Sequence, residues 1–251
     1  MAKAKSKGTA AKRVALVTGG AKRVGRGIVE TLADRGFDVA FTYYLSGTHA
    51  DELVRKYEGT ASRVVRIPGD LDDPATFVPA VVEEFRRHFD RLDVLVNNAS
   101  AYEASPVESV SLEQIRRFNA VHIESPLLLC QALAPMLRKS RGHVINIVDL
   151  LAERPWPKYL AYCASKAGLW NLTLGLARAL APEVTVNGIA PGVVAWPDDY
   201  PEAERERYLK RVPLAREGTP DDVARLVHFL ATEGSYITGQ VIRLDGGRSI
   251  T

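Results

Sequence analysis

Short apolar runs alternate with amphipathic stretches from residue 13 almost to the end of this 251-residue chain, and that alternation constrains the fold more than any other feature. Runs at 13–18 (RVALVT), 38–43, 63–68, 93–97 (DVLVN), 143–148 (HVINIV), 185–190 and 241–244 have the length and β-branched content of strands. Helical periodicity fills the gaps: 24–35 closed by Gly36, a polar helix before residue 63, then 73–88, 159–180 and 220–231. Ser111 with Gln114 makes a capping box for a further helix that runs through 127–137, where Pro126 could kink it. Strands alternating with helices imply a parallel sheet with right-handed crossovers. Continuous apolar strands such as VALVT imply burial on both faces. The expected fold class is α/β, a single doubly wound parallel sheet with helices on both faces. No repeat or linker marks a second domain. Residues 197–211, with Asp198, Asp199, Glu202, Glu204 and Glu206, read as an excursion where a substrate lid could sit.

Hydrophobic residues at 46% and charged residues at 25% describe an ordinary globular domain. No stretch is expected to reach the roughly 20 apolar residues that span a bilayer, because Gln131 and Pro135 interrupt the run that starts at Pro126. Two cysteines, Cys130 and Cys163, cannot build a disulfide framework and have no metal-ligand spacing around them, so no metal is expected. The opening residues lack an apolar leader-like run, and a cytoplasmic location is expected. Residues 1–12 read as a disordered basic tail ahead of a domain at 13–251. Residues 1–13 carry +5 of a net charge of +3, which leaves −2 for 14–251. The basic balance therefore belongs to a tail, and nucleic-acid binding by a folded patch loses its support.

The first strand leads through Thr18-Gly19-Gly20-Ala21-Lys22-Arg23-Val24-Gly25 directly into a helix. Glycines at that junction let the backbone turn tightly and approach a pyrophosphate at the helix N-terminus, as in Rossmann-type folds. Folds of this kind that prefer NAD carry a carboxylate at the end of the second strand. Here the strand ends Thr42-Tyr43-Tyr44-Leu45-Ser46, with no acid. Lys22 and Arg23 supply positive charge and Ser46 a hydroxyl, a set that suits a 2′-phosphate. The expected cofactor is NADP(H).

Tyr162 and Lys166 stand four residues apart and share a helix face. An ammonium close to a phenol, whose ordinary pKa is about 10, favours the phenolate and is expected to bring it towards working range. With the glycine turn and Asn97-Asn98-Ala99 after the fourth strand, the chain resembles the short-chain dehydrogenase/reductase family from Arg13 to Thr251. Asp70-Leu71, Asn187, Pro191-Gly192 and Asp245-Gly246-Gly247 match as well. The resemblance implies a dinucleotide over the carboxyl edge of the sheet, held by Gly19, Lys22, Arg23, Val24, Tyr44 and Ser46. Asp70 and Leu71 would lie near the adenine, and Asn97, Ala99 and Ser100 along the dinucleotide, with Pro191, Gly192 and Val193 completing the set. Lys166 would bind the nicotinamide ribose and Tyr162 would act as acid or base. Relatives of this kind form tetramers, so a homotetramer is expected. Leu127, Leu128, Leu133 and Leu137 could face such an interface or the core.

Three positions depart from the broad family pattern: Arg23 replaces a glycine, Asp149 replaces the serine before the tyrosine, and His122 stands where an asparagine is usual. Arg23 and Asp149, with Ser100 and Tyr102, are similar to the pteridine reductase branch. That likeness implies a pterin held between the nicotinamide and Tyr102, with Arg23, Ser100, Asp149, Tyr162 and Trp196 as substrate contacts. A chemical argument agrees. An ionised Asp149 would repel the alkoxide formed from a ketone, whereas C=N reduction needs a proton for nitrogen as carbon gains hydride. The expected catalytic set is Asp149, Tyr162 and Lys166, acting on a dihydropterin or dihydrofolate. Two other readings stay open, an NADPH-dependent reducer of carbonyls such as 3-oxoacyl thioesters or quinones, and a non-catalytic NADP-binding sensor.

Overall fold

A computed structural model describes residues 12–196 and 200–251. Seven strands form one sheet in the order β3-β2-β1-β4-β5-β6-β7, all parallel. They are β1 (Val14–Val17), β2 (Asp38–Tyr43), β3 (Val64–Pro68), β4 (Val94–Asn97), β5 (His143–Ile147), β6 (Thr185–Pro191) and β7 (Val241–Leu244). The helices are α1 (Arg23–Asp34), α2 (Gly47–Lys56), α3 (Pro74–His88), α4 (Leu112–Asn119), α5 (Ser125–Ser140), α6 (Leu160–Leu180), α7 (Glu202–Leu209) and α8 (Pro220–Thr232). Chain order runs outwards from β1 to β3, then returns to β4 and runs the other way. The crevice at the carboxyl ends of β1 and β4 is therefore the switch point where such sheets bind ligands.

Alternation along the central strands sorts the core into two layers. Ala15, Val17, Val39 and Phe41 pack with Ile28, Leu32, Leu53 and Val227 of α1, α2 and α8. Val14, Leu16, Ala40 and Leu95 pack on the opposite face with Phe85, Leu129, Leu133 and Leu137 of α3 and α5. Leu133 and Leu137 are thus core residues, while Leu127 is 41% exposed.

Two expectations need correction. The helix from Ser111 is not kinked at Pro126; the irregularity lies upstream, where Ala120–Glu124 forms a wider, π-type turn between α4 and α5. Pro126 has no N–H to close the regular ladder, which accounts for the loosening before it. The joined run Leu112–Ser140 is 29 residues and apolar enough by length and composition to cross a membrane, contrary to the expectation that no stretch approaches this. More than half of its most apolar window is buried inside the fold, against α3, α6 and the sheet.

The tail boundary also moves: Lys12 is tied to Asp38 by an ion pair of 2.7 Å, and residues 1–11 lie outside the described residues. So do residues 197–199 of the acidic excursion, which from Glu202 to Leu209 is helix α7.

Candidate active site

In the turn after β1 a side chain would strike main chain at two places. Gly19 has φ +65°, and a methyl group there would lie 2.9 Å from Ala99 Cα. A methyl on Gly25 would lie 2.0 Å from the Gly19 carbonyl oxygen and 2.6 Å from Asn98 Nδ2. Thr18 ties this turn to the loop after β4: its Oγ1 accepts from the N–H groups of Asn98 and Ala99, both at 3.0 Å. Asn98 Nδ2 donates back to the Thr18 and Gly19 carbonyls at 2.9 and 3.1 Å. The two loops at the switch point are one hydrogen-bonded unit.

Above them opens a cavity of about 410 Å³. Gly19, Lys22, Arg23, Val24, Tyr44, Asp70 and Leu71 line it, as do Ala99, Ser100, Tyr102, Tyr162, Lys166 and Pro191. These are most of the residues the sequence assigns to a dinucleotide. Others fall elsewhere. Asn97 is buried and donates to Asn146 Oδ1 at 2.8 Å; strand alternation turns it inwards, and its neighbour Asn98 reaches the cavity. Ser46 heads α2 and is not on the wall, and Gly192 and Val193 line a second, smaller cavity instead. Arg117 and Tyr43 line the main cavity and were not anticipated; an exposed cation on a helix carries no sequence signal. The residues present fit NADP(H): a side-chain-free cradle at a helix start, no acid at the end of β2, and the cations Lys22, Arg23, Arg117 and Lys166 facing the same space.

Arg23 adopts φ +49°, a backbone conformation that favours glycine. Its guanidinium donates to the Trp196 carbonyl at 3.4 Å. Arg23→Gly is therefore expected to stabilise the fold by about 1 kcal/mol while raising the KM for NADPH several-fold. Thermal denaturation and initial rates would separate the two effects.

The residues expected to be catalytic meet where this cavity adjoins the smaller one, with Tyr162 and Lys166 on the main wall and Asp149 on the other. Tyr162 Oη donates to Asp149 Oδ2 at 2.6 Å, and Leu151 N–H donates to Asp149 Oδ1 at 2.7 Å. Asp149 thus both caps a short helical turn and holds the tyrosine. Burial pushes the Asp149 carboxyl above the usual carboxylate range, partly opposed by the Leu151 N–H, Tyr162 and Lys166. Burial, and then the Asp149 charge, push Tyr162 well above an ordinary phenol. Lys166 Nζ donates to the Ile147 carbonyl at 2.9 Å and sits 5.9 Å from the Tyr162 ring centroid. Burial lowers its pKa to about 8. The expectation that Lys166 would draw Tyr162 towards the phenolate is not met, because burial first, and then the carboxylate in contact, outweigh the more distant ammonium. Tyr162 stays protonated.

His122 is fully buried by the π-type turn and bridges two hydroxyls, with Nε2 2.9 Å from Ser100 Oγ and Nδ1 2.8 Å from Ser165 Oγ. Ser165 donates to the Tyr162 carbonyl at 2.7 Å, so it accepts from His122 Nδ1–H, and Nε2 is left to accept from Ser100. Burial and the Lys166 charge hold the imidazole well below its usual pKa, in the neutral form this chain of bonds requires.

Tyr102 stands on the boundary of both cavities. Its ring stacks on Tyr159 at 4.6 Å and meets Tyr162 edge-on at 4.9 Å. Ser105 holds this loop in place by accepting from Ala161 N–H at the start of α6, at 3.1 Å. Trp196 is on neither wall. It packs against Tyr200 and Tyr208 at 4.5 and 5.3 Å, which corrects its assignment as a substrate contact. The smaller cavity, about 90 Å³, is lined by Tyr102, Asp149, Leu150, Leu151, Arg154, Trp156, Tyr208 and Arg248.

The family model described as "Enoyl-(Acyl carrier protein) reductase" matches residues 19–249. The short-chain dehydrogenase/reductase eriH of Hericium erinaceus is 37% identical over 95% of this chain and 98% of that protein. The chain belongs to the short-chain dehydrogenase/reductase family. It is accordingly an NAD(P)-dependent oxidoreductase. Pteridine reductase 1 of Leishmania tarentolae is 32% identical, over 95% of this chain and 96% of its own length. Several 3-oxoacyl-[acyl-carrier-protein] reductases match at 33–34% over 93–94% of this chain and 96–97% of theirs. Among solved structures, FolM alternative dihydrofolate reductase 1 from Brucella canis, complexed with NADP, superposes with a TM-score of 0.89. It is 33% identical, and the match covers 96% of this chain and 95% of that one.

Proposed function

We propose that this protein is an NADPH-dependent pteridine reductase that converts a dihydropterin or dihydrofolate to its tetrahydro form. The observation that carries the reading is the 2.6 Å bond between Tyr162 and Asp149 at the place where the two cavities meet. The pteridine reductase and the NADP-bound FolM structure among the similar proteins support it. NADPH, when bound, supplies the hydride. The chain's own residues supply the proton and the geometry.

A carbonyl substrate would place its developing negative charge beside Asp149, which only the protonated form of that group tolerates. A C=N bond instead needs a proton donor at nitrogen. The raised pKa of Asp149 makes its protonated form accessible, and Tyr162 holds its own proton. We infer that the reactive state is the one in which the pair carries two protons. After releasing one to the ring nitrogen it retains the other across the observed short bond. Lys166 compensates the remaining negative charge from a buried position and, anchored by the Ile147 carbonyl, would hold the ribose of a bound NADPH with its ammonium. Tyr102 offers an aromatic wall for the pterin, and Ser100 is oriented by His122.

Asp149→Ser is expected to lower pterin turnover on the order of 100-fold while leaving NADPH affinity within about twofold, because Asp149 is not on the wall of the dinucleotide cavity. Stopped-assay rates and NADPH fluorescence titration would read the two quantities. Equal losses in both would exclude this role for Asp149. The pH profile gives a second check. Lys166 is charged below about 8 and neutral above it, so kcat/KM is expected to fall as pH rises through that value, by up to about tenfold per pH unit. A flat alkaline limb would remove Lys166 from the charge balance.

A further inference from the structure

His122 is buried and titratable, proton and hydride transfer do not use it, and one of its bonds reaches the wall of the main cavity. Both ring nitrogens face a hydroxyl, Nε2 that of Ser100 at 2.9 Å and Nδ1 that of Ser165 at 2.8 Å. Turning the ring over would set carbon against both. Phe118 stacks on the imidazole at 6.0 Å and Tyr162 meets it edge-on at 5.6 Å, which fixes the ring plane. The direction of each hydrogen then follows. Ser165 has one hydroxyl hydrogen and gives it to the Tyr162 carbonyl at 2.7 Å, so from Nδ1–H it can only accept. Burial and the Lys166 charge both oppose protonation of the imidazole, so Nε2 keeps a lone pair. Ser100 donates to it. Among the described residues the other acceptor in reach of Ser100 is the Ala101 carbonyl, at 3.3 Å. Donation there would leave the buried Nε2 facing a second lone pair at 2.9 Å, which is costly.

Ser100 lines the main cavity, whereas His122 and Ser165 stand behind the wall. With its hydrogen turned inwards, the Ser100 hydroxyl offers the cavity lone pairs alone. A free serine hydroxyl rotates to donate or accept, and so tolerates either kind of ligand group. This one does not. A ring N–H or an amino group opposite it gains a hydrogen bond, while a carbonyl oxygen meets another acceptor. A site of one fixed polarity discriminates against the opposite polarity more strongly than an adaptable one.

We propose that His122 is a specificity-determining positioning residue. With Ser165 it locks the Ser100 hydroxyl as an acceptor, and the pocket therefore selects a substrate ring that presents an N–H donor there over one that presents a carbonyl. This rests on the pteridine reductase reading. A pterin carries a 2-amino group, and a lumazine is the same bicyclic ring with a 2-oxo group in its place. The two differ in the polarity that the lock reads.

The test compares kcat/KM, with NADPH, for 7,8-dihydrobiopterin and for the 7,8-dihydrolumazine with the same side chain. In parallel, the affinity of the NADP-loaded protein for oxidised pterin and lumazine is read from the fluorescence of those rings. Wild type is expected to favour the amino ring by about tenfold or more in both assays. Ser165→Ala lies behind the wall and puts a good helix former into α6. It frees the imidazole to carry its hydrogen on Nε2, so Ser100 can turn its own hydrogen to the cavity. The amino-to-oxo preference is then expected to fall to within about twofold. His122→Phe keeps the ring between Phe118 and Tyr162, removes both nitrogens and is expected to give the same loss. Ser100→Ala, on the cavity wall, removes the acceptor itself and abolishes the preference even if the buried variants do not fold. A merely structural His122 would lower stability, or both rates together, and leave the ratio unchanged. A wild-type ratio near one, or a ratio that survives Ser165→Ala or Ser100→Ala, would overturn the lock. A binding preference for pterin that the variants abolish, with no dihydropterin reduced, would sustain the lock and remove the pteridine reductase reading. Reduction of dihydrobiopterin with one ratio in wild type and all variants would do the reverse.

Discussion

Tyr162→Phe is expected to lower kcat for a dihydropterin by a factor of about 10²–10⁴, the range associated with loss of a positioned proton donor. The ring packs edge-on against Tyr102, Phe118 and His122, and phenylalanine keeps those contacts. The change therefore removes one oxygen from a site that is otherwise intact. It also leaves Asp149 with only the Leu151 N–H, so the carboxyl pKa is expected to rise further. Single-turnover rates across pH would show both consequences, a lower plateau and a profile shifted to higher pH. A variant with wild-type single-turnover rates would place proton delivery on another group.

Gly25→Ala is the second large effect, and it acts on the cofactor cradle rather than on the chemistry. A Cβ at this position would lie 2.0 Å from the Gly19 carbonyl oxygen and 2.6 Å from Asn98 Nδ2. Neither neighbour is a free side-chain end. Gly19 is main chain at φ +65°, and Asn98 is bonded to the Thr18 and Gly19 carbonyls. Relief requires moving α1 away from the turn, which uncouples the loops after β1 and β4. Overpacking of this kind costs on the order of 1–3 kcal/mol, and NADPH affinity is expected to fall by about 100-fold or more. Calorimetric titration with NADPH and a thermal melt would read the two. Unchanged NADPH affinity would mean that this turn does not hold the dinucleotide.

Much of the architecture was legible because each central strand is apolar on both faces and each helix that packs on the sheet is apolar on one. The seven strands and the helices α1, α3, α6 and α8 read from that pattern agree with the structure to within a residue or two, whereas α7 was read as part of an excursion and α5 runs on to Ser140. The proposed catalytic trio could be picked out for a different reason: Tyr162 and Lys166 share a helix face at fixed spacing, and Asp149 follows a recognisable strand. Other features depend on tertiary placement. The π-type turn at Ala120–Glu124 reflects Pro126 together with packing against α6, and it carries His122 between Ser100 and Ser165. Asn97 and Asn98 are equivalent in sequence, and only the pleat of β4 decides which one reaches the cavity. The effect of Lys166 on Tyr162 was misjudged because spacing gives proximity along a helix but not the competing 2.6 Å carboxylate contact. Arg154 and Arg248 lie 94 positions apart and have no shared motif; only the fold brings them to one cavity.

The central claim is that the Asp149–Tyr162 pair directs this scaffold to C=N reduction. The most direct measurement is the loss of NADPH absorbance with purified protein and four substrates in parallel: 7,8-dihydrobiopterin, dihydromonapterin, dihydrofolate and an acetoacetyl thioester. Turnover of at least one pterin, with none of the thioester, is the predicted result. Turnover of the thioester alone would contradict it and assign the protein to the carbonyl-reducing members of its family.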